Sequence, residues 1–572
     1  MRGSQTDGVC RRWCAAWLGV CVAAWCGAAS HAETYTVQPG QSVQAVINAA
    51  SAGDVVQLAA GVHSISQTLT AKSGVALVGD GNGGTTLRAT AALGTLVSLA
   101  NRSNVRLAHL TLDGQNDKAA IGVAASQGAG HTLEHLTISN LNQTGHDPIG
   151  IYFSSSVTDS TLRHNTLDNV GVHSFWGAGI RLAHGSSRNT VEDNAIRNVG
   201  RGGILVNDGS THTVIRRNTV TRMGLNNPVN PDATSEVTPR LGIELWGQSH
   251  DGLIEHNTVD HYISIDSSSR VAVRHNTVER AAGVGTRAFA GIEVVGGLNS
   301  SASNDVIISR NRLVATDAAS PASDLGLSIS GNGEVKHMLF DRNQIDGAGT
   351  WAVQVQGNDG VTTGVSKHRL YFLDNRFSLT RDGNPGPYGQ QGHALRLNTD
   401  GAPIHDLVFE GNTITHNHGV ALEILNVSRV DDLRFTGNTA SDNAQGGASL
   451  TDYGSPDHPQ ASIIMLGEGD ALQLAVQFDG QRAVHHALWD VGQGLPRLGE
   501  AISVSDLAHG INHDITVVAW DTSGHATHVR MVLHMPEPTS SLMLLGGLAG
   551  LFTRPGSVRQ ARADQATPAD QP

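Results

Sequence analysis

The feature that most constrains this chain is an asparagine followed two residues later by an apolar side chain, at Asn165, Asn194, Asn218, Asn257, Asn276, Asn311, Asn343, Asn375, Asn412 and Asn438. Successive gaps are 29, 24, 39, 19, 35, 32, 32, 37 and 26 residues. Helical repeats keep a near-constant period, so gaps this uneven exclude them. They suit coils of short strands carrying insertions of different length, with the 19-residue gap close to a bare coil.

A second phrase precedes each asparagine: Gly150-Ile-Tyr-Phe, Gly179-Ile-Arg-Leu, Gly203-Ile-Leu-Val, Gly242-Ile-Glu-Leu, Tyr262-Ile-Ser-Ile, Gly291-Ile-Glu-Val, Leu327-Ser-Ile, Ala352-Val-Gln-Val, Ala394-Leu-Arg-Leu and Ala421-Leu-Glu-Ile. Apolar and polar residues alternate in most of them, as a strand with one buried face requires. A turn and a second short strand then lead to the asparagine, as in Gly252-Leu-Ile-Glu-His-Asn257. Such coils bury their apolar faces only by stacking on their neighbours.

These residues resemble the right-handed parallel β-helix superfamily, which includes pectate lyases, polygalacturonases, alginate epimerases and phage tailspikes, over roughly Thr34 to Leu450. The resemblance implies an all-β solenoid in which the asparagines form an internal ladder. Val43, Val46, Ile47 and Ala50 fall on one face of a short helix behind Ser42, which is expected to close the open end of the solenoid. After Pro459 the asparagine repeat stops. Ile515-Thr-Val-Val-Ala-Trp520, a turn at Gly524 and Val529 to Leu533 then suggest a small immunoglobulin- or fibronectin-like β-sandwich, read as a cap or spacer in preference to a carbohydrate-binding module.

The ends read as addresses. Residues 1–32 combine Arg11 and Arg12, an apolar run from Trp13 to Trp25 and the small-residue site Ser30-His31-Ala32, the build of a secretory signal. All four cysteines (Cys10, Cys14, Cys21, Cys26) lie inside it, which leaves the expected mature chain without disulfides or thiolate ligands. Pro536-Glu-Pro538, the apolar stretch from Leu542 to Phe552 and the arginines that follow resemble a PEP-CTERM sorting tail, which implies processing by an exosortase. The expected organisation is therefore a signal peptide at 1–32, a β-helix at 33–450, a sandwich at 451–535 and a sorting tail at 536–572. Signal peptidase and exosortase are the processing partners, membrane contact is transient, and the destination is the outside or surface of a Gram-negative bacterium. A formal charge of -13, with only four lysines among 38 basic residues, argues against nucleic acid as a partner.

Placing the strand phrases in register puts Tyr152, Arg181, Leu205, Glu244, Ser264, Glu293, Ser328, Gln354, Arg396 and Glu423 on one outward stripe. With coils about 4.8 Å apart, Glu244 and Glu293 flank the Ser264 coil, and Asp266 projects from that coil. Paired carboxyls at such spacing suit glycoside hydrolysis, which needs one protonated acid and one carboxylate, so Glu244, Glu293 and Asp266 are the candidate catalytic residues. Insertions before the strands, together with neighbouring strand ends, offer His146, Asp147, His173, Phe175, Trp176, Arg181, Arg240, Trp246 and Arg287 for binding an extracellular polysaccharide. Phe175 and Trp176 could stack on sugar rings. Arg181, Arg240 and Arg287 could clamp uronate carboxylates, and this would favour a lyase or epimerase with His146, His173 or Tyr152 as the base.

Asn398-Thr-Asp-Gly401 copies a polygalacturonase phrase without the partners of that family, and Gly79-Asp-Gly-Asn-Gly-Gly84 is a single turn without the repeat that calcium solenoids use. The 28 histidines show no close metal-ligand spacing. The expectation is a polysaccharide-cleaving protein with no metal and no cofactor, a hydrolase ahead of a lyase or epimerase. The alternative is a non-catalytic matrix or adhesion protein that binds polysaccharide.

Overall fold

The computed structural model describes residues 32–535 apart from 175, 224–240, 281–289, 298–300, 316–324, 350, 358–364, 379, 381–391, 400–401, 426–429, 444–458, 468–470 and 481. The chain divides into two compact units, Met1–Leu205 with Asn218–Pro239, and Val206–Arg217 with Arg240–Pro572. The proposed signal peptide and sorting tail lie outside the described residues.

In the first unit each coil contributes one strand to each of three parallel sheets. Thr34–Val37 pairs with Val55–Leu58 and that with Ala76–Val78; Gly61–Ile65 pairs with Thr85–Ala89; Ala119–Ala125 pairs with Ile149–Phe153 and that with Ala178–Leu182. The helix Val43–Ala49 forms where its spacing predicts, with Ser42 Oγ accepting from Ala45 N and with Val43 and Ile47 buried. It packs on the first strands of the solenoid.

The glycine that opens the repeated strand phrase has a packing cause. A Cβ on Gly150 would come within 2.4 Å of Leu167 Cδ2, and one on Gly179 within 2.6 Å of Ile196 Cγ2, because side chains of another sheet already fill that part of the core. The asparagines form the expected ladder. Asn165 Nδ2 donates to Asn194 Oδ1 at 2.9 Å, and Asn194 Nδ2 to Asn218 Oδ1 at 2.9 Å. The residue before each asparagine takes a left-handed turn, as at His164 (φ 54°) and Asp193 (φ 55°).

The second unit repeats this plan. Its asparagine ladder runs Asn257, Asn276, Asn311, Asn343, Asn375, Asn412 and Asn438. Inside it, Phe340, Phe372, Phe409 and Phe435 stack with ring centroids 4.4, 4.5 and 4.8 Å apart. Lys367 is fully buried, and its ammonium nitrogen lies 2.7–3.2 Å from four backbone carbonyl oxygens, those of Gly331, Gly333, Gly357 and Val365, which share its three N–H donors.

Residues 461–534 fold into antiparallel sheets of three and four strands that share a core of Leu474, Val476, Phe478, Trp489, Ile502, Ile515 and Val517. This sandwich packs side-on against the solenoid, which corrects the cap-or-spacer reading. Trp520 and Val518 bury against Leu339, Tyr371 and Val408 on strand faces. Arg274 pairs with Asp490 at 3.3 Å, both side chains 1% exposed, and Arg310 with Asp514 at 2.9 Å. Among the described residues no helix is long and apolar enough to cross a membrane.

Candidate active site

In the second unit the strands Leu241–Leu245, Tyr262–Asp266 and Ala290–Gly296 lie side by side. Glu244 pairs in register with Ser264, and Ser264 with Glu293; the stripe continues through Ser328, Gln354, Arg396 and Glu423. Ile243, Leu245, Ile263, Ile265, Ile292 and Val294 are buried in the core, so strand alternation turns Glu244, Ser264, Asp266 and Glu293 to the opposite, outward side. That side is not a solvated face. Glu244 is 5% exposed, Ser264 and Ser328 are buried, and Asp266 and Glu293 are half-buried.

Each carboxyl has a local partner. Asn207 Nδ2 donates to Glu244 Oε2 at 2.9 Å, Ser264 Oγ to Glu293 Oε1 at 2.5 Å and Ser267 Oγ to Asp266 Oδ1 at 2.7 Å. Burial, reinforced by the charges of Asp266 and Glu244 and opposed by the Ser264 hydrogen bond, pushes Glu293 up to about 7. Burial, with the charge of Glu244 adding to it, likewise raises Asp266 to about 6. Three acids that feel one another in this way form a single electrostatic group. Among the described residues, the charges that raise Asp266 and Glu293 are those of other carboxylates. Burial thereby keeps Glu293 partly protonated near neutral pH.

Trp246, 42% exposed, follows Leu245, which pairs with Ile265, the residue before Asp266. An exposed indole is an apolar platform with a polar rim. Asn207, at the end of the preceding strand Gly202–Val206, escaped the sequence reading. It occupies the place just beyond that strand phrase, and only the fold carries it to Glu244.

The other candidate residues divide by unit. Arg240 and Arg287 lie outside the described residues, as does Phe175. In the first unit His146, His173, Pro148, Gly171 and Ser174 line a cleft of about 280 Å³, and Ser174 Oγ donates to Asp147 Oδ1 at 3.4 Å. Trp176 is 44% exposed, with the Arg201 guanidinium 4.5 Å from its ring centroid. Arg181 lies 5.9 Å from the Tyr152 ring. These residues are thus a feature of the first unit, and the three acids belong to the second. The Gly-rich turn at 79–84 is satisfied from within, because Asp80 Oδ1 accepts from Gly84 N at 3.2 Å and from Thr85 Oγ1 at 3.2 Å.

Residues 73–260 and 166–311 match the family model of the right-handed β-helix region. The chain is a right-handed parallel β-helix protein. A mutant tailspike protein of E. coli bacteriophage HK620, in complex with a pentasaccharide, is similar in fold at 13% identity and a TM-score of 0.51, with 87% of this chain and 90% of that one covered. The A-module of the Azotobacter vinelandii mannuronan C-5 epimerase AlgE6 aligns at 16% identity and a TM-score of 0.44, covering 70% of this chain and 94% of its own. The catalytic unit of a GH87 alpha-1,3-glucanase from Streptomyces thermodiastaticus aligns at 14% identity and a TM-score of 0.42, covering 73% and 69%. No curated protein sequence matches the chain.

Proposed function

We propose that this chain is an exported, polysaccharide-active protein that hydrolyses glycosidic bonds over the outward strands Leu241–Leu245, Tyr262–Asp266 and Ala290–Gly296. The observation that carries the reading is the acid pair flanking the Ser264 coil, with Glu293 raised to about 7. Glu293 is the general acid that protonates the leaving oxygen. Glu244, held by Asn207, is the base that activates water. Asp266 keeps the proton on Glu293 through its charge. Two coil spacings, about 10 Å between backbones, let side chains that lean toward each other reach the roughly 6.5–9.5 Å separation of inverting enzymes. Trp246 stacks on a sugar ring.

Hydrolysis is favoured over β-elimination by charge. A lyase neutralises a uronate with a cation before a base takes the C5 proton, whereas among the described residues the charges acting on Asp266 and Glu293 are those of other carboxylates, which would repel an acidic sugar. The tailspike of similar fold, solved with a pentasaccharide, supports a glycan as the partner. The terminal segments support export across the inner membrane of a Gram-negative bacterium, cleavage by signal peptidase at 1–32 and exosortase sorting through 536–572.

The test is product analysis on a panel of neutral and acidic glycans. New reducing ends without ultraviolet-absorbing unsaturated uronates are expected, and they should vanish in Glu293→Gln while glycan binding persists. Unsaturated products would assign a lyase. Binding without any product would assign a matrix or adhesion protein.

A further inference from the structure

Two trios of histidine and aspartate lie in the second unit away from the carboxylate site: Asp305 with His337 and His486, and His368 with His405 and Asp406. The candidate ligand atoms of each trio fall within 4.8 Å of one another. Proton placement separates them. In the first trio Arg369 Nη1 lies 3.2 Å from His337 Nε2. A guanidinium only donates, so Nε2 accepts and the proton of the neutral ring sits on Nδ1, facing Asp305 at 3.6 Å. The rings of His337 and His486 stack, 3.9 Å between centroids, as those of His368 and His405 do at 4.6 Å, so stacking is common to both trios and proton placement alone separates them. That trio is a carboxylate shared by two imidazoles.

The second trio has the opposite tautomer. His368 Nε2 lies 2.9 Å from Glu334 Oε1, and the other oxygen of that carboxylate pairs with Lys336 Nζ at 2.7 Å. A carboxylate only accepts, so Nε2 carries the proton and Nδ1 is left as a bare lone pair. That atom is buried and, among the described residues, has no hydrogen-bond partner. The parallel register sets His405 opposite His368 on the next coil, and Asp406 follows it. The Asp406 carboxylate lies 3.6 Å from Arg369 Nε, a contact too long for a hydrogen bond. It also faces a sandwich turn, since a Cβ built on Gly524 would come within 2.6 Å of Asp406 Oδ2.

We propose that His368 through Nδ1, a ring nitrogen of His405 and the Asp406 carboxylate form a binding site for a divalent transition cation of the zinc class. Two imidazoles and one carboxylate suit such borderline ions and leave a coordination position for water. The Glu334 contact is the outer hydrogen bond that fixes the tautomer of a ligating histidine. The ion would tie two coils together beside the sandwich turn, so its effect is on stability.

The experiment titrates chelator-stripped full-length protein with zinc chloride alone, by calorimetry and by metal content after dialysis, with thermal melting in parallel. One zinc per chain and a zinc-dependent rise in Tm are expected, both lost in His368→Ala and in Asp406→Asn and both kept in His337→Ala. Glu334→Gln, whose side chain does not touch the ion, should keep the stoichiometry and weaken binding about 10–100-fold; it carries the test should His368→Ala fail to fold. Absence of saturable one-site binding, or binding that survives His368→Ala and Asp406→Asn or is unchanged in Glu334→Gln, would overturn the proposal.

Discussion

Glu293 and Asp266 set the behaviour of the site residue by residue. With Glu293 raised to about 7, the general-acid role proposed for it predicts that kcat/KM falls through about pH 7 on the alkaline side. Glu293→Gln should lower turnover by about 10²–10⁴-fold, the usual contribution of a positioned acid, read from initial rates of reducing-end release. Stability carries the same signature without any substrate. Both folded-state values lie above those of the unfolded chain, so the native state binds more protons between about pH 4 and 7, and stability is lost as pH rises through that window. The double variant Asp266→Asn, Glu293→Gln should therefore melt higher than the parent at pH 8 and close to it at pH 4. Equal melting shifts at both pH values would mean that the acids are not coupled through burial. The acids were legible because strand alternation and register alone put Glu244, Ser264 and Glu293 in one row. Asn207 was not, because its partnership depends on the position of a side chain just past a strand end.

Among the strands and turns, the asparagine ladder is the part of the fold most directly written in the chain. Asn276 Nδ2 donates to Ile254 O and to Asn311 Oδ1, while its own oxygen accepts from Asn257. Asn276→Ala strands buried partners at roughly 1–3 kcal/mol each; a loss of about 2–4 kcal/mol in urea unfolding is expected. Its neighbour His275 sits in a left-handed turn at φ 54° and stacks on His256 at 4.8 Å. His256, exposed at φ 56°, tolerates glycine, so His256→Gly should change stability by only about 0.5 kcal/mol. The same turns explain what the sequence hid. Asp305, His337, Arg369 and Asp406 all have positive φ inside strands, so each breaks the simple alternation from which side-chain direction is read. His368 and His405 stand 37 residues apart in sequence, and only the coil pitch makes them neighbours.

Across the second unit as a whole, the sandwich is bound to the solenoid by charge as well as by Trp520. The Arg274 guanidinium is buried, with Asp490 beside it and Gly494 O accepting from Nη2 at 2.6 Å. Asp490→Ala leaves that cation uncompensated, and the expected cost is about 3–5 kcal/mol, visible as a lower unfolding midpoint and faster proteolysis. An unchanged midpoint would show the packing of Trp520 and Tyr371 to be sufficient. A sandwich-like run of strands was readable from sequence. Its seat was not, because Arg274 and Asp490 are more than 200 residues apart and no local pattern marks either as a contact.

The four carbonyls around Lys367 have a consequence of their own. The side chain is a tethered ammonium standing where an inorganic ion could stand. With methionine at this position the oxygens would face a vacant, electronegative hole. Potassium from the buffer, immaterial to the parent, would then decide at what temperature that coil comes apart.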